Sequence, residues 1–442
     1  MGSLRVHIIH VGNMVNKGTQ ALLKSDVFIL REILGEDIIL SVSTTDVSRV
    51  KRLNLSFNAV LPPLVDIPYE KADFYAKRLG FTRADLLYKV FAAGSLILMF
   101  FQVLLSAFSA FLEKLGLRGI YRARVLEYMK NADVVISYSD ENFKESASLL
   151  PLNVYWILTW WSMLLSRTWD VLTSRFLGKR VVMFPNSVGP FRTWLGVLLA
   201  KIALNMCNFI LVREPISFKV VNSLGITSPK LLTSDTALLF DKKRAVNFNP
   251  PLRPVIGVSP GIYAQSLSKE KVNRYINEHA RALDKMIKEC GFFVVFLPHY
   301  ISGFQFDDLE ISKLILTRMK NKRYAQIVES SSVEEFKSIL DSMDIVVSSK
   351  MHPAVLAVSG HIPTLCIAYD QKQTGFFLRL GLKECVVSIR EFSYELLLSK
   401  IKYVWEKKEE IRAVLRQRVP NLQQEIKETI KFALLSSINA KG

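Results

Sequence analysis

Cysteine is scarce: Cys207, Cys290, Cys366 and Cys385 are the only four in 442 residues, and no two form a Cys-x-x-Cys pair. That spacing excludes zinc-ribbon and thioredoxin-type motifs, and in a chain of this length a disulfide framework is not expected, which makes a reducing, cytoplasmic setting the default. Acidic residues are also in deficit, with 40 Asp+Glu against 58 Lys+Arg and a formal net charge of +18. The excess is dispersed. There is no run of five basic residues, no zinc-finger spacing and no aromatic RNP signature, so nucleic acid is not the expected partner. An anionic membrane surface or a phosphorylated small molecule accounts for the charge better. Sixteen prolines and 20 glycines are too few for a collagen-like or low-complexity chain, and an apolar half rules out disorder. No repeat of 20–50 residues is visible, and the chain holds neither G-x-G-x-x-G nor a P-loop.

Charge is absent from two long stretches, Val90 to Leu112 and Ser146 to Ser166, the second carrying Trp156, Trp160 and Trp161. Either is long enough to span a bilayer. Two plain spans would strand residues 113–145 on the far side, although Asp133–Ser137 reads as a strand of the main sheet. Helices lying on or dipping into one leaflet are therefore expected, with two buried core helices as the alternative. The start of the chain, Leu4–His10, reads as a strand rather than a signal peptide.

What is present is an alternation of short β-branched runs and longer helical patterns, the mark of βαβ units. Strands are expected at Leu4–His10, Asp37–Ser43, Asp133–Ser137, Arg180–Phe184 and Phe209–Val212. A polar, proline-containing linker, Asp241 to Pro254, follows. The pattern restarts with Val255–Ser259, Phe292–Leu297, Gln326–Glu329, Asp344–Ser348, Pro363–Ala368 and Cys385–Ser388. Val272, Ile276, Ala280, Leu283 and Ile287 share one helix face, and Ser332 with Glu335 makes a capping box. Past residue 391 two charged amphipathic helices, split by Pro420, are expected across the back of the fold. The expected architecture is α/β, two Rossmann-like domains at 1–245 and 255–395 facing a cleft, closed by C-terminal amphipathic helices at 396–442. Ligands of such sheets bind beyond the carboxyl ends of the strands.

Several loops at those ends carry candidate chemistry. Val11–Gln20 holds Gly12, Asn13, Asn16, Lys17 and Gly18 before a helix expected to begin near Ala21, whose free N–H groups suit an anion. Asn186 and Ser187 follow another strand, and either a hydroxyl or phosphate contact or a structural turn fits them. Arg213 ends a strand where it suits a carboxylate or phosphate bidentately, or a salt bridge within the fold. His299 stands just past a strand in the second half, and Asp307 and Asp308 beyond it suit a helix cap better than a metal. The strongest segment runs from Asp344 to Lys372, where consecutive strands end in Lys350 with His352 and in Lys372. A histidine between two lysines at one sheet edge makes an anion-handling, acid-donating site.

At this point the chain resembles the polysaccharide pyruvyl transferase family. The resemblance runs through Gly12-Asn13 to Gly18, Gly178-Lys-Arg-Val-Val, Ser187-Val-Gly-Pro-Phe191, Val212-Arg-Glu and Ser234-Asp-Thr-Ala237. It continues through Phe296-Leu-Pro-His299 and Asp307-Asp308 to the 344–382 block, where Lys350-Met351-His352, Gly360, Pro363 and Tyr369-Asp-Gln-Lys372 match the family's signature. The resemblance implies a GT-B-like fold and transfer of pyruvate from phosphoenolpyruvate onto a sugar as a ketal. It implies His352 as catalytic acid, Lys372 holding or activating the donor, and Arg213 and Lys350, with His299 nearby, gripping its carboxylate and phosphate. Asn13, Asn16, Lys17, Asn186 and Ser187 remain for the acceptor or an anion. Neither cofactor nor metal is implied.

Two departures stand out: the family usually has arginine where Lys350 stands, and often a Gly-Gly turn where this chain has Tyr138-Ser-Asp-Glu141. Lysine keeps the charge but loses the planar fork. Carboxylates at 140 and 141 repel a phosphate, which assigns that loop to the acceptor. The expected enzyme acts on a polysaccharide or lipid-linked glycan in the cell envelope, at the cytoplasmic membrane surface. A GT-B glycosyltransferase using a nucleotide-sugar and a catalytically weakened glycan-binding protein are the competing readings.

Overall fold

The structure is a computed structural model that describes residues 3–67, 86–145, 154–241, 248, 253–261, 269–303 and 307–439. Seven parallel strands form the first sheet, in the order β3 (Ala59–Leu61), β2 (Ile39–Thr44), β1 (Arg5–Val11), β4 (Val134–Ser137), β5 (Val181–Asn186), β6 (Phe209–Val212), β7 (Lys230–Leu232). Six more form the second: β10 (Ala325–Ile327), β9 (Phe293–Phe296), β8 (Val255–Ser259), β11 (Ile345–Ser348), β12 (Thr364–Ala368), β13 (Val386–Ser388). Both orders step outward from the first strand, return, and continue on its other side. Each sheet therefore has one crevice at its carboxyl edge, between β1 and β4 and between β8 and β11. The central strands are buried along their whole length, as in β8, β11 and β12, which is why they read as unbroken β-branched runs rather than alternating ones. The expected α/β architecture of two Rossmann-like domains is the one observed. Most of the linker at 241–254 lies outside the described residues.

In the first domain the helices are α1 (Lys17–Leu34), α2 (Val47–Arg52), α3 (Leu86–Lys114), α4 (Ala123–Asn131), α5 (Val154–Phe176), α6 (Trp194–Met206) and α7 (Pro215–Ser223). The second carries α8 (Lys269–Cys290), α9 (Asp308–Arg318), α10 (Val333–Leu340), α11 (Met351–Ser359), α12 (Gln371–Leu380) and α13 (Tyr394–Glu406), and α14 (Lys408–Asn439) ends the described chain. The apolar face expected on α8, from Val272 to Ile287, is buried throughout. Ser332 caps α10 by accepting from the Glu335 N–H at 3.2 Å, and the Glu335 carboxylate accepts from the Ser331 N–H at 2.6 Å.

Three expectations need correcting. Helix α1 begins at Lys17, not near Ala21, because the Asn16 side chain accepts from the Gly18 N–H and caps it early. Pro420 does not split the C-terminal helices: the break is at Lys407, and Pro420 lies inside α14. An interior proline costs about 3 kcal/mol. Buried Val419, Leu422, Ile426, Ile430 and Leu434 flank it, and each such side chain contributes roughly 1.5–3 kcal/mol, so packing wins. The two uncharged stretches also part company. From Ala93 onward most of the large side chains of α3 are exposed, whereas Thr159, Ser162, Met163, Leu164 and Ser166 of α5 are buried. From Thr159 to Ser166 the second stretch is thus a core helix rather than a membrane-facing insertion, and 146–153 lies outside the described residues.

The C-terminal helices divide between the domains, α13 lying on α8 and α14 crossing to the first sheet. There Thr429 Oγ1 meets Thr233 Oγ1 at 2.9 Å and Gln423 Nε2 donates to the Leu238 carbonyl at 2.7 Å.

Helix α1 is fastened to the loop after β4 by buried Asp26, which accepts from the Ser139 N–H at 3.0 Å and its hydroxyl at 2.8 Å. Burial raises the Asp26 carboxyl to about 7. A folded-state pKa above the unfolded value near 3.9 gives a contribution that is complete below about pH 4 and lost as pH rises through about 7. The melting temperature of Asp26→Asn relative to wild type should therefore climb between pH 5 and pH 8.5. A difference that stays flat over that range would refute the assignment.

Candidate active site

The two crevices face each other and touch. Gly18, in the first turn of α1 beyond β1, lies against His352, in the first turn of α11 beyond β11. A Cβ built on Gly18 would stand 2.2 Å from His352 Nδ1 and 2.3 Å from its Cγ. His352 is buried, and its Nε2 has no hydrogen-bond partner among the described residues. Burial holds its pKa below the ordinary imidazole value; Asp235 and Asp140 pull it up, Arg213 and Lys372 push it down. His299, past β9, stacks beside it with ring centroids 6.4 Å apart, and its Nε2 is also unpartnered. Burial first, then the nearby His352, Lys17 and Lys350, keep His299 well below its usual value and therefore neutral.

The cations expected at the sheet edges are here, each already answered by a carboxylate. Lys350 Nζ is 3.2 Å from Asp308 Oδ1. Lys372 Nζ reaches across the cleft to Glu141 Oε2 at 2.6 Å, a carboxylate shared with Lys144 at 2.7 Å. Burial opposes the charge of Glu141, yet Lys144 and Lys372 hold it well below the usual carboxylate range. Arg213 is fully buried, with Nη1 2.8 Å from Asp235 Oδ2 and Nε donating to Ser187 Oγ at 2.8 Å; its Nη2 has no partner among the described residues. Lys17 differs. It is buried, donates to the His299 carbonyl at 3.5 Å and lies over the Phe336 ring, and among the described residues no carboxylate comes within ion-pair distance. Burial lowers its pKa, opposed by Asp308, Glu329 and Glu335.

Backbone donors add to this field. Lys350 caps α11 with no side-chain hydrogen bond, so the N–H groups of its first turn point at the cleft unclaimed by a capping side chain. Lysines, an uncapped helix end and two histidines with a free ring nitrogen suit a dianionic ligand and leave a proton donor beside it. Among the described residues no group of three His, Cys, Asp or Glu side chains is placed to hold a metal ion.

Not every candidate reaches the cleft. Asn186 is spent inside the fold, accepting from the Asn142 N–H at 2.9 Å and donating to the carbonyls of Tyr138 and Phe184. Asn13 and Asn16 cap their own turn. Ser187 supports Arg213, and Asp307 caps α9. The structure adds Asp140, Glu141, Lys144, Asp235 and Asp308 to the cleft. Glu141 and Asp308 meet lysines remote in sequence, and no local spacing announced those pairs. The domains also lock at α7 and α12, where a Cβ on Gly375 would stand 2.2 Å from Glu214 Oε2.

Comparison with known proteins agrees with this arrangement. The family model for polysaccharide pyruvyl transferase matches residues 28–371, well over half of the chain, which therefore belongs to that family. A curated relative, the amylovoran biosynthesis protein AmsJ of Erwinia amylovora, is 24% identical over 263 residues, covering 54% of this chain and 63% of the relative, just under two thirds of its length. Among solved structures, the S. aureus MnaA–UDP complex superposes with a TM-score of 0.59 at 10% identity, over 99% of this chain and 98% of that one. A glycosyltransferase from Rickettsia africae does so at 0.56 and 12% identity over the whole of both chains. UDP-GlcNAc 2-epimerase from Neisseria meningitidis gives 0.56 at 10% identity over 98% and 100%. At these identities the likeness is one of fold.

The Gly18–His352 contact is directly testable. Alanine favours a helix interior over glycine by about 1 kcal/mol, so Gly18→Ala leaves α1 intact while its methyl displaces the His352 ring. Turnover should fall at least tenfold, about 1.4 kcal/mol, with the melting temperature nearly unchanged. Full activity in Gly18→Ala would mean the contact is looser than drawn.

Proposed function

We propose that this member of the polysaccharide pyruvyl transferase family transfers pyruvate from phosphoenolpyruvate to two hydroxyls of a glycan sugar, forming a ketal and releasing inorganic phosphate. The observation that carries this reading is buried Lys17, without a carboxylate counterpart among the described residues, beside two histidines whose Nε2 atoms are unpartnered among them. His352, as acid, adds a proton to the donor's methylene carbon. One sugar hydroxyl oxygen bonds to C2, the C2–O bond to phosphate breaks, and the second hydroxyl closes the ketal. Two hydroxyl protons are released, one replacing the proton spent on carbon and the other leaving with phosphate, so no oxidant or reductant is needed.

We assign Lys17, Lys350 and the uncapped start of α11 to the donor's phosphate and carboxylate, with His299 as a neutral hydrogen-bond donor. Lys372 joins them once it exchanges Glu141 for the donor. Arg213, saturated by Asp235 and Ser187 except at Nη2, holds the wall against which His352 lies. Asp140, in the loop after β4 on the acceptor side, acts on His352 electrostatically, and we place it as the group that takes the hydroxyl proton. The acceptor is placed on a lipid carrier at an anionic membrane surface, a reading supported by the exposed apolar face of the first domain.

Thermal stabilisation by phosphoenolpyruvate against a panel of nucleotide-sugars tests the donor. Ligand at 100 times its dissociation constant adds about 2.7 kcal/mol, and that gain should disappear in Lys17→Ala and Lys372→Ala. Arg213 is unsuited to this test, because breaking a buried ion pair costs roughly 3–5 kcal/mol by itself. Stabilisation by a nucleotide-sugar and not by phosphoenolpyruvate would overturn pyruvyl transfer in favour of glycosyl transfer. His352→Ala should keep donor binding and lose roughly 100- to 10,000-fold in turnover; a chain that only binds glycan would show no turnover to lose.

The depressed pKa of His352 gives a second readout. Only the imidazolium donates a proton, so kcat/KM should rise as pH falls below 6.5, the ordinary histidine value. The limb in kcat should lie at higher pH, because a bound dianion favours the charged ring. Identical limbs in both profiles would place the titrating group elsewhere.

A further inference from the structure

Helix α3 is amphipathic in reverse. Gln102, Ser106, Ser109 and Glu113 recur on one face, and that face looks into the protein. Each is satisfied there. Gln102 accepts from the Asp66 N–H at 2.9 Å and donates to its carboxylate at 3.1 Å. Ser106 accepts from Trp169 Nε1 at 2.7 Å, Ser109 from the Tyr121 N–H at 2.8 Å, and Glu113 from the Gly119 N–H at 2.9 Å. The opposite face carries Ile97, Leu98, Phe101, Leu104 and Phe108, each more than half exposed. A helix whose polar side chains are already paired inward has no way to hide its apolar ones by rotating, since that would leave four polar groups unpaired. Exposed apolar side chains also stand on α6, which packs on α5 as α3 does: Trp194 is 75% exposed and Leu198 43%.

We infer that the outer faces of α3 and α6 form a docking surface for one leaflet of an anionic membrane, entered by the side chains without crossing it. The 22 residues Ala93–Lys114 are long and apolar enough to span, but the topology forbids it. Chain leading into α3 comes from β3, and chain leaving it reaches β4, and both strands belong to the same sheet. Charge selects the occupant. From Leu86 to Leu126 the basic residues are Lys89, Lys114, Arg118, Arg122 and Arg124; Arg122 is paired with Asp66, and the one carboxylate in the stretch, Glu113, is buried and paired with Lys130. From Arg192 to Met206 there are Arg192 and Lys201 and no acid. A basic rim around an exposed apolar stripe fits lipid headgroups over acyl chains. A second copy of a chain of net charge +18 would be repelled instead.

Docking this way also orients the cleft. Thr193, next to Trp194, donates its N–H to Glu145 at 2.7 Å, and four residues before Glu145 stands Glu141, the partner of Lys372. The acceptor lip of the active site is thereby held beside the leaflet. The lipid-linked acceptor rests on the pyruvyl transfer reading, whereas docking itself does not.

Flotation of the full chain with detergent-free vesicles tests it. Wild type should float with vesicles of phosphatidylglycerol and phosphatidylcholine in equal parts, and less with phosphatidylcholine alone or in high salt. Leu98→Glu/Phe101→Glu should lower partitioning at least tenfold, about 1.4 kcal/mol, with an unchanged melting temperature. Phe432→Glu, which changes a side chain 57% exposed on α14, should float like wild type. Wild type that fails to float at low salt, or a double variant that floats as well as wild type, would overturn the proposal. So would a wild-type dimer made monomeric by the double variant in the absence of flotation. Pyruvylation of a water-soluble acceptor, measured in parallel, should be equal in wild type and the double variant. Its absence from both would sink the catalytic reading and leave docking standing.

Discussion

The organisation of the cleft depends on the absence of a side chain at residue 18. Because Gly18 has no Cβ, the start of α1 can lie directly on the His352 ring, and two helix N-termini from different sheets meet across one contact. A methyl at this second residue beyond the cap would push the His352 ring aside, at the point where reacting groups must be held closely in place. Gly375 does the same service beside Glu214. Two glycines on opposite sides of the cleft therefore set how closely the sheets approach. The depressed pKa of His352, with burial as its largest cause, is a consequence of that approach.

Close approach of two basic edges would be repulsive without internal counter-ions. The protein answers by giving three of these cations a carboxylate, in one case from the opposite domain: Glu141 for Lys372, with Asp235 for Arg213 and Asp308 for Lys350 inside their own domains. These pairs differ in kind. Arg213 and Asp235 are both fully buried, and removing either leaves an uncompensated charge in the interior, so that pair belongs to the fold. On the proposed reading, Glu141 and Lys372 sit where an incoming dianion competes for the lysine. With Lys144 to retain Glu141, exchanging partners would leave no carboxylate stranded. The donor would substitute for an internal anion, and the net charge of the cleft would change less than the ligand's own charge suggests.

The frame was largely legible in the residues. Central strands such as Val255–Ser259 and Phe209–Val212 coincide with the β-branched runs that announced them, because burial on both faces leaves no polar residue to blur the pattern. Two edge strands did not announce themselves: Ala59–Leu61 and Lys230–Leu232 are three residues long and partly exposed, too short and mixed for any periodicity to register. His352, Lys350 and Lys372 were readable as one anion-handling edge because they fall at the ends of consecutive strands. The sign of the Glu141 contribution was not. A carboxylate in a donor cleft reads as repulsive until the fold supplies Lys372, 231 residues away, and such pairings are a property of tertiary structure alone. Pro420 misled for a related reason, since a local rule about helix interiors was outweighed by burial of the residues around it.

Helix α3 and helix α14 solve opposite problems with similar length. Each is long, at 29 and 32 residues, and each borders the first sheet's domain. In α14 the apolar residues from Ile411 to Leu434, Phe432 excepted, face inward, and the helix joins the domains from behind the cleft. In α3 the hydrogen-bonding residues face inward and the apolar ones outward. A polar inner face is a poor source of folding free energy, because each hydrogen bond nets only about 1 kcal/mol. An exposed apolar outer face contributes nothing until something covers it. On the docking reading, a helix built so gains its full stability from the leaflet that covers it, whereas α8, α10 and α13 of the second domain bury their apolar faces within the chain.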